Sequence, residues 1–156
     1  MSLYLLLKWI HILSATILFG TGIGIAFFKW MTDRSGDVRA IRIINERTVL
    51  ADLVFTTPAV IAQPVSGVAL MIVGGYPIHS PWLVAAIILY VFAGSCWLPV
   101  LWLQIRMRDL AQRADQENLP LNTQYWRYAR RWFCLGVPAF LSLVIVFWLM
   151  VFKPSF

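Results

Sequence analysis

Charge is what this chain lacks. Only 13% of its 156 residues are Asp, Glu, Lys or Arg, against 60% hydrophobic ones, and mean hydropathy is +0.75. A soluble domain of this length leaves too much surface exposed to hide that much apolar side chain, so a water-soluble globular fold is excluded. Cysteine is scarce as well. Cys96 and Cys134 both lie in apolar segments, form no CxxC pair and supply no disulfide framework, so they read as small core residues. A cleavable leader is not expected: no basic residue precedes the first apolar stretch, no small-x-small site follows it, and the run Leu3 to Met31 is too long. Linkers and low-complexity segments are missing, which leaves one domain over 1–156. Strict alternation is missing too, and open strands cannot satisfy their backbones in lipid, so the apolar runs are helices.

Four such runs are present, at 3–30, 49–74, 81–105 and 131–152. Each approaches or exceeds the roughly 20 residues that cross about 30 Å of hydrocarbon. The chain is therefore expected to be all-α, an integral membrane four-helix up-down bundle with the lipid bilayer as its first partner. Eleven of the 13 Lys+Arg residues fall in two interhelical stretches, and the turn from Gly75 to Ser80 has none. The positive-inside rule then places both basic loops in the cytoplasm and both termini outside it. Topology accounts for the net charge of +6, so nucleic acid is not expected as a partner. Ser35 or Asp37 can cap a helix running into the second span, and Asn122 or Thr123 can cap the fourth. The third can continue past its span until Asn118-Leu119-Pro120. The short turn Gly74-Gly75-Tyr76-Pro77 predicts that the second and third spans are antiparallel neighbours.

Any chemistry rests on the few polar residues inside the spans. Lys8 and His11 lie one helical turn apart, and Gly22 continues the His11 face. His11 is placed roughly 12 Å into the outer half of the membrane, where an ionisable side chain is expensive and usually has a partner or a task. An imidazole in a helical bundle with glycine on the same face suits a haem iron ligand; a neutral His bonded to a neighbouring helix is the plainer alternative. Lys8 can snorkel to the outer surface or meet a haem propionate. Gly20-xxx-Gly24 predicts close approach of another helix. Asp52 is the single acid inside a span, and Lys29, Arg130 or Arg131 is expected to neutralise it. The second span is broken by Thr56-Thr57-Pro58 and Gln63-Pro64, where prolines free backbone carbonyls and helices often line cavities. Gln63 stands roughly level with His11 and is placed to bond the imidazole or a ligand. His79, Met71 and Met150 are the candidates for a second iron ligand.

The stretch Tyr4-Leu-Leu-Leu-Lys8-Trp-Ile-His11, Asp52-Leu-Val-Phe-Thr56-Thr57-Pro58, Gln63-Pro64, Trp97-Leu-Pro99 through Asp109, and Lys153-Pro154 resembles a bacterial family of predicted integral membrane proteins of unknown function. More distantly the chain is similar to the HemJ family and to the membrane domain of the CopD family. The HemJ resemblance implies haem b held by His11, after a Lys-x-x-His opening like Lys8 and His11, in the bacterial inner membrane, with a redox or porphyrin-handling role. This chain departs from HemJ at Cys96-Trp97, where that family has histidine, and at Leu135 and Gly136 before Pro138, where it has Asn-Glu. Two other readings stand beside haem: a transport or scaffold subunit with a polar cavity at the broken second helix, and CopD-like copper handling. A homo-oligomer and a membrane redox partner are both open.

Overall fold

A computed structural model describes residues 2–154. It contains α1 (Leu3–Ser35), α2 (Val38–Ala51), α3 (Thr57–Gly74), α4 (Pro81–Gln116) and α5 (Thr123–Phe152). α2 and α3 form one rod joined by a π-helical turn at Asp52–Thr56. Four rods of 33, 37, 36 and 30 residues thus make an up-and-down bundle, each long and apolar enough to cross a membrane. At about 1.5 Å per residue even the shortest is roughly 45 Å long, so every rod outruns about 30 Å of hydrocarbon. Both charged connections lie at one end, here the basic end; residues 75–80 close the other, the turn end.

Local chemistry sets the breaks. Gly36 takes φ 71°, which ends α1, and the Asp37 carboxylate then accepts the Ala40 N–H at 3.1 Å to start α2. Ser35, the rival cap, closes α1 instead and donates to the Thr32 carbonyl. Asn122 caps α5 by accepting from the Tyr125 N–H at 2.9 Å. The π-helical turn has its cause in Pro58, which offers no N–H to the carbonyl four residues back and crowds it. The backbone widens there, and the Thr57 N–H and hydroxyl both reach the Asp52 carbonyl.

The rods pack in chain order. α4 packs along α5, α1 along α3, and α2 along α4. The second and third rods are neighbours, as the short turn implies, but they meet mainly along α2, while the closest backbone partner of α3 is α1. A single hydrogen bond bridges α3 and α4: the Tyr90 hydroxyl donates to the Val60 carbonyl at 2.6 Å. Pro64 cannot use that carbonyl, so Tyr90 satisfies a group the helix break sets free. The bundle is therefore two helix pairs, α1/α3 and α4/α5, joined most tightly at the basic end.

The main cluster of buried apolar residues also lies at the basic end, where Ile41, Met107 and Ala111 are fully buried around Tyr125 and Trp132. Toward the outside, large apolar side chains are bare: Ile72, Val151 and Leu53 are at least two-thirds exposed. That surface is tolerable only against lipid. Gly20 and Gly24 face no other helix of the chain, since a Cβ at either would meet nothing within 4 Å. The close approach expected there is made elsewhere, at Gly67.

Candidate functional site

His11 is a clasp between α1 and α3. Its Nδ1 lies 2.8 Å from the Ser66 hydroxyl, and its ring packs over Gly67, where a Cβ would come within 3.3 Å of Cε1. Gln63, expected to bond the imidazole, donates instead to the His11 carbonyl at 3.1 Å. Lys8 is exposed, its ammonium 6.0 Å from the centre of the Tyr4 ring. The polar contacts of His11 go to Ser66, Gln63 and Ser14; none goes to His79, Met71 or Met150. His79 is exposed in the turn, while Met71 and Met150 are partly buried in α3 and α5. A porphyrin on His11 would need open space beside the ring, and neither of the two cavities described below has His11 in its wall. The residues as packed do not fit that group, and no chemistry is derived through it. Among the described residues no group of three or more His, Cys, Asp or Glu could hold a metal ion.

The open space lies deeper, between the two helix pairs. A cavity of about 310 Å³ is walled by α1 from Leu18 to Ala26, by α4 from Tyr90 to Gln104, by α5 from Trp132 to Leu143, and by Asp52, Thr56 and Val60. Three glycines from three rods, Gly22, Gly94 and Gly136, line it, and a Cβ on any of them would meet only empty space. Its mouth is the slot between α1 and α5. Above, Phe19 stacks on Phe140 with ring centres 4.6 Å apart and meets Phe147 at 5.4 Å. Below, Lys29 stands over the Tyr125 and Trp132 rings at 5.3 and 5.7 Å. Between these contacts Ile23 and Val137, both lining the cavity, are exposed. A smaller apolar recess of about 210 Å³ sits on the other side of α1, against Pro58.

The polar groups of the large cavity are incompletely satisfied. Asp52 is 5% exposed and accepts the Thr56 hydroxyl at 2.6 Å on Oδ1. Gln104 lies alongside, 3% exposed, and its Oε1 has no partner; the indole N–H groups of Trp97 and Trp132 have none either. Buried polar atoms are nearly always bonded, and the side chains that carry these three exceptions all line the one cavity. Thr57, one residue on, is spent on the backbone.

The basic end shows the opposite. Lys29, fully buried, pairs with Asp33 at 2.9 Å and donates to the Tyr125 hydroxyl at 3.0 Å. That hydroxyl donates to Asp33 at 2.6 Å and accepts from the Asn45 amide at 2.9 Å. Arg42 adds pairs to Asp115 and Glu46. At the turn end Tyr76 meets the Tyr4 hydroxyl and the Lys153 ammonium, which together hold its phenol below the ordinary range. The residues sequence reasoning passed over are Tyr90, Ser66, Asn45 and Tyr125. Ile41, Asn45, Thr48, Asp52 and Thr56 recur every three or four positions and all are buried, a helical stripe legible in the sequence that marks the inward face of the rod.

Four long apolar rods define an integral, multi-pass membrane protein. The family model for predicted integral membrane proteins (DUF2269) matches residues 5–154, and the chain belongs to that family. Among curated proteins and solved structures nothing matches.

Proposed function

We propose that this is a non-enzymatic membrane protein that holds a small lipid-soluble molecule in its interior, taken up sideways from the bilayer through the slot between α1 and α5. One observation carries the reading: the cavity at the broken second rod combines bare glycine backbone on three helices with three unpartnered buried polar atoms. A packing fault would be lined by apolar atoms alone; a preformed ligand site combines apolar walls with a few polar groups. The positive-inside rule puts the basic end in the cytoplasm of a bacterial inner membrane. The test is binding of an uncharged aromatic probe, 1-neopentylnaphthalene, to the full chain in lipid nanodiscs, after subtraction of empty discs. Saturable binding lost in Gly136→Leu, which fills the cavity, supports the reading; equal retention by both proteins, or by empty discs alone, refutes it.

A second reading is a b-type haem on His11. Ser66 orients Nδ1 and leaves Nε2 with no hydrogen bond among the described residues, the polarity of a metal-bound imidazole. It requires α1 and α3 to part around Gly67. An absorption spectrum of protein expressed with ample haem decides it: a Soret band abolished by His11→Ala supports haem, and a colourless protein ends that reading.

A further inference from the structure

Asp52 was expected to find Lys29, Arg130 or Arg131, and the fold gives it none of them. No ion pair among the described residues includes Asp52. Lys29 is committed to Asp33 and to the hydroxyl of Tyr125. Arg130 and Arg131 are both exposed. Of the two carboxylate oxygens, Oδ1 accepts from the Thr56 hydroxyl, and the Gln104 side chain is a further hydrogen-bond neighbour of the carboxylate. Beside it, Gln104 Oε1 is an acceptor without a donor. Asp52 thus has no paired counter-charge among the described residues.

The rest of the cavity is suited to the same deficit. Tyr90, Trp97, Phe133 and Phe140 line it, and the faces of such rings attract cations. Depth adds a second constraint. Gly74 ends the rod 22 residues from Asp52, roughly 33 Å along the axis, so with Gly74 at one membrane border Asp52 lies at the other. A head held there sits at the level of the lipid headgroups, while an attached apolar body extends along the cavity toward the membrane centre. An isolated buried carboxylate is costly, and an anionic or apolar guest leaves that cost in place.

We propose that the cavity takes a monovalent cationic amphiphile, its charged head against Asp52 and Gln104 among the aromatic rings and its apolar body directed toward Tyr90 and Leu18. This rests on the reading of the cavity as a ligand site. The ligand supplies the counter-charge that the polypeptide withholds, and the slot between α1 and α5 admits it from the leaflet at the basic end.

The experiment compares two probes of one shape in nanodiscs of neutral lipid at pH 7: (1-naphthylmethyl)trimethylammonium and its uncharged carbon isostere, 1-neopentylnaphthalene. Wild-type protein should bind the cation at least about tenfold more tightly than the isostere, each corrected for empty discs. Asp52→Asn should erase the difference while keeping the isostere bound, which also reports that the variant is folded. Equal binding of the two probes by wild type overturns the cation proposal and leaves the ligand site standing, with Asp52 neutralised by a proton. No saturable binding of either probe overturns both. The wild-type comparison decides without any variant.

Discussion

The basic end and the middle of the bundle are furnished with similar side chains and treat them in opposite ways. At the basic end Lys29, Asp33, Tyr125 and Asn45 close on one another, and a single atom, Asn45 Oδ1, is left without a partner. In the middle Asp52, Gln104 and Trp97 stand around empty space with two atoms unbonded and no paired counter-charge, and the indole N–H of Trp132, which borders both regions, is a third without a partner. Desolvated polar groups that satisfy one another tie three rods together; similar groups left unsatisfied beside a void are a cost, which the proposed guest would offset. The satisfied network and the unsatisfied cavity are thereby separated along the rods, about two helical turns apart from Asn45 to Asp52.

The sharpest way to break this comparison is at Lys29. Lys29→Ala strips the partner from Asp33 inside the protein, and a broken buried pair typically costs about 3–5 kcal/mol. Unfolding measured in bicelles should show a loss of that size. A loss below about 1 kcal/mol would mean that the basic end is not what holds the helix pairs together. Tyr125→Phe comes next. It removes a hydroxyl that bonds Lys29, Asp33 and Asn45 at once. Each of those groups stays buried, so the expected loss is about 1–3 kcal/mol, read in the same assay. Binding of 1-neopentylnaphthalene in the cavity should survive in the folded fraction; if it vanishes, the two regions are not separable.

How much of this could be read beforehand follows the same division. The rods, the Asp37 and Asn122 caps and the stop after Gln116 are local matters of hydropathy, capping and proline, and each is written in adjacent residues. The broken second rod was legible for the same reason, since Pro58 and Pro64 act on carbonyls one turn back. Partner choice was not legible. Lys29 lies four residues before Asp33 on one helix face, yet Asp52 seemed its match because charge inside lipid looks for charge; a local i,i+4 pair simply came first. His11 was noticed as an ionisable group inside the membrane, but only the fold shows that Ser66 and Gly67 occupy one side of its ring. Gly20 and Gly24 carry the spacing of a packing face and have no helix against them, because such a motif permits an approach without choosing the helix that makes it.

A smaller effect is expected at the α1–α3 clasp. Ser66→Ala removes the hydroxyl bonded to His11 Nδ1 and leaves the packing over Gly67 in place. Interhelical hydrogen bonds in membranes average about 0.6 kcal/mol, so the loss should be near that value in the bicelle assay. Gly67→Ala is the stricter probe, since its Cβ would fall 3.3 Å from the imidazole and press the helices apart. If it proves harmless, the ring is free to move, and the case for a haem slot beside His11 improves.

The smallest change should come from filling the cavity itself. A methyl on Gly136 meets nothing within 4 Å, so Gly136→Ala removes no contact and creates no clash. Alanine also favours helix over glycine by up to about 1 kcal/mol, and the net change in stability should be zero or slightly favourable. At the basic end any deletion is costly; here an addition is free, because the space was never part of the packing. What the methyl should alter is occupancy: affinity for 1-neopentylnaphthalene should fall in Gly136→Ala and fall further in Gly136→Leu. A graded loss of binding with stability unchanged would show that the void is kept open by glycine for a guest. A graded loss of stability would instead make Gly136 a packing residue and close the distance between the two regions.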